Sequence, residues 1–518
     1  SPKDLYETYL PAFEALVKEA DVEAVMGAYN RTNGEPCCGS KTLLKDILRD
    51  DWGFKGHVVS DCWAVRDFHL NHKVTEGPKE SVKMALDAGC DLNCGCTYAY
   101  IMAALKKGLI TEEQITRSCV RLYTTRFLLG LFDGSEYDSI PYEVVECEGH
   151  RKLAVTAAEK GIVLLKNDGI LPLDKSRIKT IGVIGPNANS RRVLSGNYHG
   201  TSSHYVTVLD GIQKEAGEIC RVLYSEGCHL YKDKTEPLAW PDDRISEAII
   251  TAKHSDLVVL VLGLDETVEG EEPDEGNAGQ AGDKESLELP LCQQKLLEAV
   301  ATVGKPVVTV LMSGSAMDLR YADQHTNAVL EAWYPGSKGG TAVADILFGD
   351  YNPGGKLTVT FPKTVGQIPF NFPYKPASQI DGGKNPGPDG NMSRINGALY
   401  PFGYGLSYTT FEYSDLEITP KVITPNQKAT VRLKVTNTGK RAGDEVVQLY
   451  TRDILSSVTT YEKNLAGFER IHLKPGESKE IVFTLDRKHL ELLNADMKWT
   501  VEPGEFAIMA GASSEDLL

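Results

Sequence analysis

Two groups of acidic residues have the types and positions that chemistry needs. Asp61 ends the run Gly56-His57-Val58-Val59-Ser60, whose β-branched apolar pair reads as a buried parallel strand. A carboxylate at the C-terminal end of such a strand sits where α/β enzymes keep their chemistry, because the loops there open onto a shared crevice. The plainer reading is that Asp61 caps the following helix. The second group is the stretch 264–289, LDETVEGEEPDEGNAGQAGDKESLEL, directly after an apolar strand. Crowded carboxyls repel one another and raise their pKa, as a proton donor near neutral pH requires. The plainer reading there is a solvated acidic loop.

The elements around Asp61 alternate between strand and helix. Helical spacing runs over 1–20, a strand over 22–29, a helix over 40–50, then the Asp61 strand. A helix over 79–88, a short strand end at 89–93, and helices over 98–109 and 111–131 follow, the last opened by a capping box at Thr111 and Gln114. This alternation predicts a parallel α/β barrel, of which residues 1–133 supply roughly three βα units, the C-terminal portion of a (β/α)₈-like fold. A polar linker occupies 134–149. The second part, 150–372, opens with a helix over 150–165 and carries apolar strands at 180–184, 257–262, 307–312 and 328–333, separated by helices, which predicts a doubly wound α/β sandwich. A Gly-, Pro- and Asn-rich connection spans 373–409. From 410 to 518 the period becomes two, as in an antiparallel β-sandwich of fibronectin type III kind.

Composition narrows the function. With 518 residues the chain is too long for one core, and a hydrophobic fraction of 42% with 25% charged residues is ordinary for a globular protein. A net charge of −17 argues against nucleic acid, which demands clustered Lys and Arg, and against anionic membranes; it suits a neutral ligand such as a sugar. No apolar run spans a bilayer. The 11 cysteines lack zinc-site spacing and read mostly as small buried hydrophobes of a reducing, cytoplasmic compartment; no signal peptide is visible, although Ser1 is not a natural start and secretion stays open.

The segment GFKGHVVSDCWAV resembles the nucleophile segment of glycoside hydrolase family three, the β-glucosidase and β-xylosidase family. The resemblance implies that Asp61 is the nucleophile of a retaining exo-β-glycosidase acting on terminal β-glucosyl or β-xylosyl units of small oligosaccharides or aryl and alkyl glycosides, with no cofactor. Cys62 stands where many β-glucosidases have Trp, which is closer to the xylosidase branch, so the sugar is left open. Val268-Glu269-Gly270-Glu271-Glu272-Pro273-Asp274 resembles the family's V-E-(A/G)-E-(G/E)-x-D-R run, whose second Glu is the acid/base. That implies Glu271, with Glu269 the alternative; Pro273 and the missing Arg after Asp274 depart from the pattern.

Met26-Gly27-Ala28-Tyr29-Asn30-Arg31 resembles a run whose Tyr touches the sugar, implying Met26 and Tyr29 as substrate contacts. Ser195-Gly196-Asn197-Tyr198-His199-Gly200-Thr201 resembles a segment of xylosidase-like members and implies Tyr198. Trp63 could stack on a sugar face or serve the core. Further matches open and close the second part (161–167, 350–362) and enter the third (400–409). The family's opening barrel strands are not found here. Either the chain is a fragment or a second polypeptide completes the barrel; the rival reading is a scaffold or sugar-binding piece, inactive without that segment. A weaker rival, nucleotide binding at Gly182–Ala188, lacks the spaced glycines, and Pro186 removes an amide. His57, His69 and His72 have no metal-ligand spacing.

Overall fold

The computed structural model describes residues 1–270, 284, 286–376 and 397–518. The chain divides into two compact units, Ser1–Tyr142 and Glu143–Leu518.

In the first unit, β1 (Ala24–Gly27) and β2 (His57–Ser60) pair in parallel, with Met26 opposite Val59 and Gly27 opposite Ser60. A parallel bridge from Val59 to Leu92 adds a third strand position. Helix α1 (Pro11–Lys18) precedes β1; α2 (Ala64–Leu70), α3 (Pro78–Ala88), α4 (Ile101–Lys106) and α5 (Glu112–Leu128) lie between and after the strands, as does a helical segment Thr42–Asp51 wound with wider turns. Val58, Val65, Phe68, Ala85 and Cys90 make the core. The predicted helix over 1–20 is broken, because Pro11 cannot continue a hydrogen-bond ladder and instead starts α1. The capping box of α5 forms as read: Thr111 N donates to Gln114 Oε1 at 2.9 Å, and Gln114 N donates back to Thr111 Oγ1 at 3.4 Å.

The second unit begins with α6 (Glu148–Gly161) and β3 (Val163–Asn167). The helix expected to reach residue 165 therefore stops four residues early. Val163, Leu164 and Leu165 are fully buried and complete a sheet edge, so tertiary burial overrides the helical spacing. Then come β4 (Thr180–Ile184), α7 (Val208–Ala216), β5 (Arg221–Ser225), α8 (Asp243–Lys253), β6 (Leu257–Gly263), α9 (Leu291–Ala301), β7 (Val307–Met312), β8 (Ala328–Glu331) and α10 (Gly339–Phe348). The six-stranded sheet runs β3-β8-β7-β6-β4-β5, parallel except for β3. Strands β4, β6, β7 and β8 stand where the sequence placed them, and buried residues on both faces make two cores. Strand β5 went unread.

Two three-stranded antiparallel sheets follow in the same unit: β9 (Phe411–Thr419), β10 (Ala429–Asn437) and β13 (Ser478–Leu485) in one, β12 (Asn464–Leu473), β11 (Gly443–Asp453) and β14 (Phe506–Gly511) in the other. A buried ion pair, Lys356 Nζ to Glu445 Oε1 at 2.9 Å, fastens this sandwich to the α/β part. Among the described residues no helix is long and apolar enough to cross a membrane.

Candidate active site

Asp61 stands immediately past β2, and its amide donates to the carbonyl of Gly27, the last residue of β1, at 2.9 Å. The turn after it is tight. Cys62 N donates to Asp61 Oδ1 at 2.7 Å, which fixes the plane of the carboxylate. Ala64 N bonds the Asp61 carbonyl at 3.2 Å, so Asp61 does lie at the entrance of α2, as the plainer reading had it. Its side chain nevertheless caps no amide of that helix: the helix's flanking residue is Trp63, in the left-handed region at φ 69°.

The strand end beside it holds this turn from outside. Ser60 is buried, and its Oγ accepts from Asn93 Nδ2 at 3.1 Å and from Cys94 N at 3.0 Å. Trp63 N donates to the Cys94 carbonyl at 2.7 Å. Cys62 and Cys94 form a disulfide, 32 residues apart in sequence. That pair corrects the reading of the cysteines as reduced hydrophobes, which Cys37, Cys38, Cys90, Cys220, Cys228 and Cys292 do satisfy by burial. Pairing depends on Cα separation, here 4.4 Å, which spacing in sequence cannot give.

Trp63 is 44% exposed, so it is not a core residue. Its ring lies under the Arg66 guanidinium at 4.7 Å and rests on Gly95, where a Cβ would come within 3.2 Å of it. Met26 is 59% exposed and Tyr29 36%, both at the C-terminal end of β1. His72 Nε2 donates to the Tyr29 carbonyl at 2.9 Å, and His69 Nδ1 pairs with Ser81 Oγ at 3.0 Å. His57 pairs with Thr125 Oγ1 at 2.9 Å, so it serves packing. The first unit thus gathers Asp61, Trp63, Met26 and Tyr29 at the carboxyl ends of two parallel strands.

In the second unit, Glu271 lies outside the described residues, and Glu269 lies within them. Residues 265–269 turn back on themselves, with the Val268 and Glu269 amides donating to the Asp265 carbonyl at 3.0 and 2.8 Å. Glu269 Oε2 accepts from Gly314 N at 2.6 Å and from Tyr334 OH at 2.5 Å; Oε1 accepts from Ser315 Oγ and lies 3.6 Å from Lys284 Nζ. Burial lowers the Lys284 pKa against the pull of Glu269. Burial, and then the Glu269 charge, push the Tyr334 phenol up. Glu331, the last residue of β8, is wholly buried, and burial holds its carboxyl well above the usual range. Tyr198 is 82% exposed in the loop after β4.

Sequence reading passed over Asn93, Cys94, Lys284, Glu331 and Tyr334. A polar residue at the end of an apolar run, in Cys90-Asp91-Leu92-Asn93 and in Leu330-Glu331, marked Asn93 and Glu331; nothing comparable marked the other three. The nucleotide reading fails on packing: a Cβ at Gly185 would lie 2.0 Å from the Val261 carbonyl, so that glycine admits the neighbouring strand rather than a phosphate. Among the described residues, Glu215, Asp345 and Asp350 bring carboxylate oxygens within 4.8 Å of one another, but Glu215 is already paired with Lys175.

Three family models match. The glycosyl hydrolase family 3 N terminal domain covers residues 1–125, its C-terminal domain residues 162–408, and a fibronectin type III-like domain residues 445–514. The chain is 41% identical to a β-xylosidase of Formosa agariphila, covering 99% of this chain and 71% of that protein. It is 37% identical to a periplasmic β-glucosidase of Salmonella typhimurium, covering 99% and 69%. Among solved structures, a β-glucosidase from Erythrobacter marinus superposes with a TM-score of 0.90 at 35% identity, over 100% of this chain and 70% of that one. A β-glucosidase from Listeria innocua in complex with isofagomine gives 0.87 at 30% identity, over 100% and 70%.

Proposed function

The chain belongs to glycosyl hydrolase family 3, and on that premise we propose that it removes terminal β-xylosyl or β-glucosyl units with retention of configuration, using Asp61 as nucleophile and Glu271 as acid/base. As a β-glycoside hydrolase of this family it takes small β-glycosides as substrates. In the first step an Asp61 oxygen attacks the anomeric carbon, and the glycosidic oxygen leaves with a proton from Glu271. In the second, Glu271 takes a proton from water, which displaces Asp61 and releases the sugar.

The observation that carries this reading is the restraint on Asp61: its amide, one carboxylate oxygen and the turn that follows are each engaged, at the C-terminal end of a buried parallel strand. A nucleophile gains from such restraint, since attack requires aligned atoms at near-contact distance. A helix cap would need its side chain on the helix amides. Glu271 is preferred over Glu269 because Glu269's oxygens already accept from Gly314, Tyr334 and Ser315 beside Lys284. A carboxylate whose oxygens are taken by protein donors is not free to meet a glycosidic oxygen. Trp63, Met26, Tyr29 and Tyr198 are assigned to the sugar and its aglycone.

The test is proton NMR of the first product formed from 4-nitrophenyl β-xyloside and β-glucoside. The β-anomer must appear first, and relative kcat/KM over the panel ranks the two sugars. An α-anomer as first product would overturn the double displacement.

A further inference from the structure

Glu269 and Lys284 are fifteen positions apart, yet their side chains form an ion pair. Both are largely buried, with 17% and 15% of their side-chain surface left exposed. They meet over one short loop, residues 313–316, that follows β7. Glu269 takes the Gly314 amide and the Ser315 hydroxyl; Lys284 Nζ donates to Ser315 Oγ and to the Ala316 carbonyl at 3.3 Å, and lies 3.2 Å from Met317 Sδ. A Cβ at position 314 would come within 2.9 Å of the Tyr334 ring and 3.1 Å of Glu269 Oε2, so a side chain there would crowd both.

A third support comes from β8. Glu331 Oε1 accepts from Trp333 N at 2.8 Å, across a turn that places Trp333 at φ 55° and sends the next residue, Tyr334, back over the sheet end. Tyr334 OH then donates to Glu269. Glu331 is fully buried, and among the described residues its Oε2 has no hydrogen-bond partner. Burying a carboxyl with an unmatched oxygen beside an ion pair opposes stability, and apolar residues of equal volume would pack the same space at lower cost. Such a cluster at the carboxyl edge of a parallel sheet is better explained by what it positions than by what it stabilises.

We propose that Glu269, Lys284 and Tyr334, with Glu331 beneath them, form a positioning clamp that fastens the chain on both sides of residues 271–283 to the loops after β7 and β8, and so fixes where the acid/base carboxylate two residues beyond Glu269 is delivered. The proposal rests on the assignment of Glu271 as acid/base. None of the four clamp residues transfers the proton. They act through Glu271.

A general acid matters most when the leaving group is poor, so misplacing it has a signature that general weakening of the fold lacks. Lys284→Met and Tyr334→Phe are each compared with the unaltered chain on a 2,4-dinitrophenyl β-glycoside, which needs no protonation, and on the matching alkyl β-glycoside, which does. Thermal midpoints check folding. The clamp predicts kcat/KM within about threefold on the dinitrophenyl substrate and a loss of about thirtyfold or more on the alkyl one, as sub-ångström displacement of a catalytic group produces. Either variant suffices if the other does not fold.

Equal losses on both substrates, or none on either, would overturn the clamp. Glu271→Gln is the control that separates this failure from failure of the functional reading. If Glu271→Gln shows the leaving-group dependence and the clamp variants do not, only the clamp falls. If the clamp variants show it and Glu271→Gln does not, Glu269 is itself the acid, and both the clamp and the assignment of Glu271 fall.

Discussion

Asp61 and Glu269 both follow the carboxyl end of a buried parallel strand and both accept a backbone amide, yet the rest of their surroundings differ. Around Asp61 the restraints are neutral: backbone amides, the Ser60 hydroxyl, the Asn93 amide and a disulfide. Around Glu269 one backbone amide, of Gly314, is joined by ionic and protic groups: Lys284, the Tyr334 phenol and a serine hydroxyl. A nucleophile, the role proposed for Asp61, must be held still, and neutral donors do that without adding countercharge that would blunt it. The Glu269 side brings charged and protic groups together in a buried place, where each strengthens the others.

The sharpest break in this contrast would come at Asp61. Asp61→Asn keeps the turn's shape but not the nucleophile, and turnover of an aryl β-glycoside should fall by about 10⁴-fold. Turnover that survives the change would return Asp61 to the role of a helix-entry residue. Next in size is the disulfide. Cys94→Ser opens a loop of 32 residues, and chain entropy puts the loss of stability at about 3–4 kcal/mol at most. Urea unfolding should show it, and a reductant should lower the unaltered protein while leaving Cys94→Ser where it is. Reductant acting equally on both would place the sensitivity elsewhere.

Asn93→Ala comes third. It removes a donor to Ser60 and the acceptor for the Tyr98 amide at 3.1 Å, at about 1–3 kcal/mol. Lower kcat with KM nearly unchanged would mark Asn93 as orienting the strand end. An unchanged unfolding midpoint would mean that water replaces both bonds.

The smallest effect tests whether buried acids in the second unit matter only near Glu269. Glu159 lies on α6, where burial and the neighbouring Asp345 push its carboxyl up to about 7. Its folded pKa exceeds the unfolded one, so its favourable contribution is present below the unfolded value and is lost as pH rises toward 7. Glu159→Gln should therefore raise the melting midpoint at pH 8 and leave it unchanged at pH 4. The side chain is only half-buried and partly screened by solvent, so the gain stays at about 1 kcal/mol. Activity should not change. A midpoint shift at pH 4 rather than pH 8 would reverse the assignment.

Much of this was legible in the residues alone. The Val58-Val59 run announced a buried strand, and its abrupt polar end marked Asp61. The apolar runs of β4, β6, β7 and β8 were equally plain, because strands buried on both faces carry unbroken hydrophobic sequence. Strand β5 was missed because Arg221-Val222-Leu223-Tyr224-Ser225 lies at a sheet edge and mixes exposed with buried residues. The helix drawn through residue 165 overran because Leu164 and Leu165 fit either pattern until the sheet they complete is known. At the candidate site, what stayed hidden were relations between distant segments. Cys62 meets Cys94, Glu269 meets Lys284 across fifteen positions, and Glu331 underlies Tyr334. Each looked ordinary where it stood in the chain.

The central claim is that Asp61 attacks the sugar. A 2,4-dinitrophenyl 2-deoxy-2-fluoro-β-glycoside, which forms the covalent intermediate and hydrolyses it slowly, followed by peptide mass analysis, tests it directly. The account predicts one fluorosugar per chain, carried on the peptide that contains Ser60, Asp61 and Cys62. A label on any other acidic residue, or turnover that proceeds with no covalent label, would contradict it.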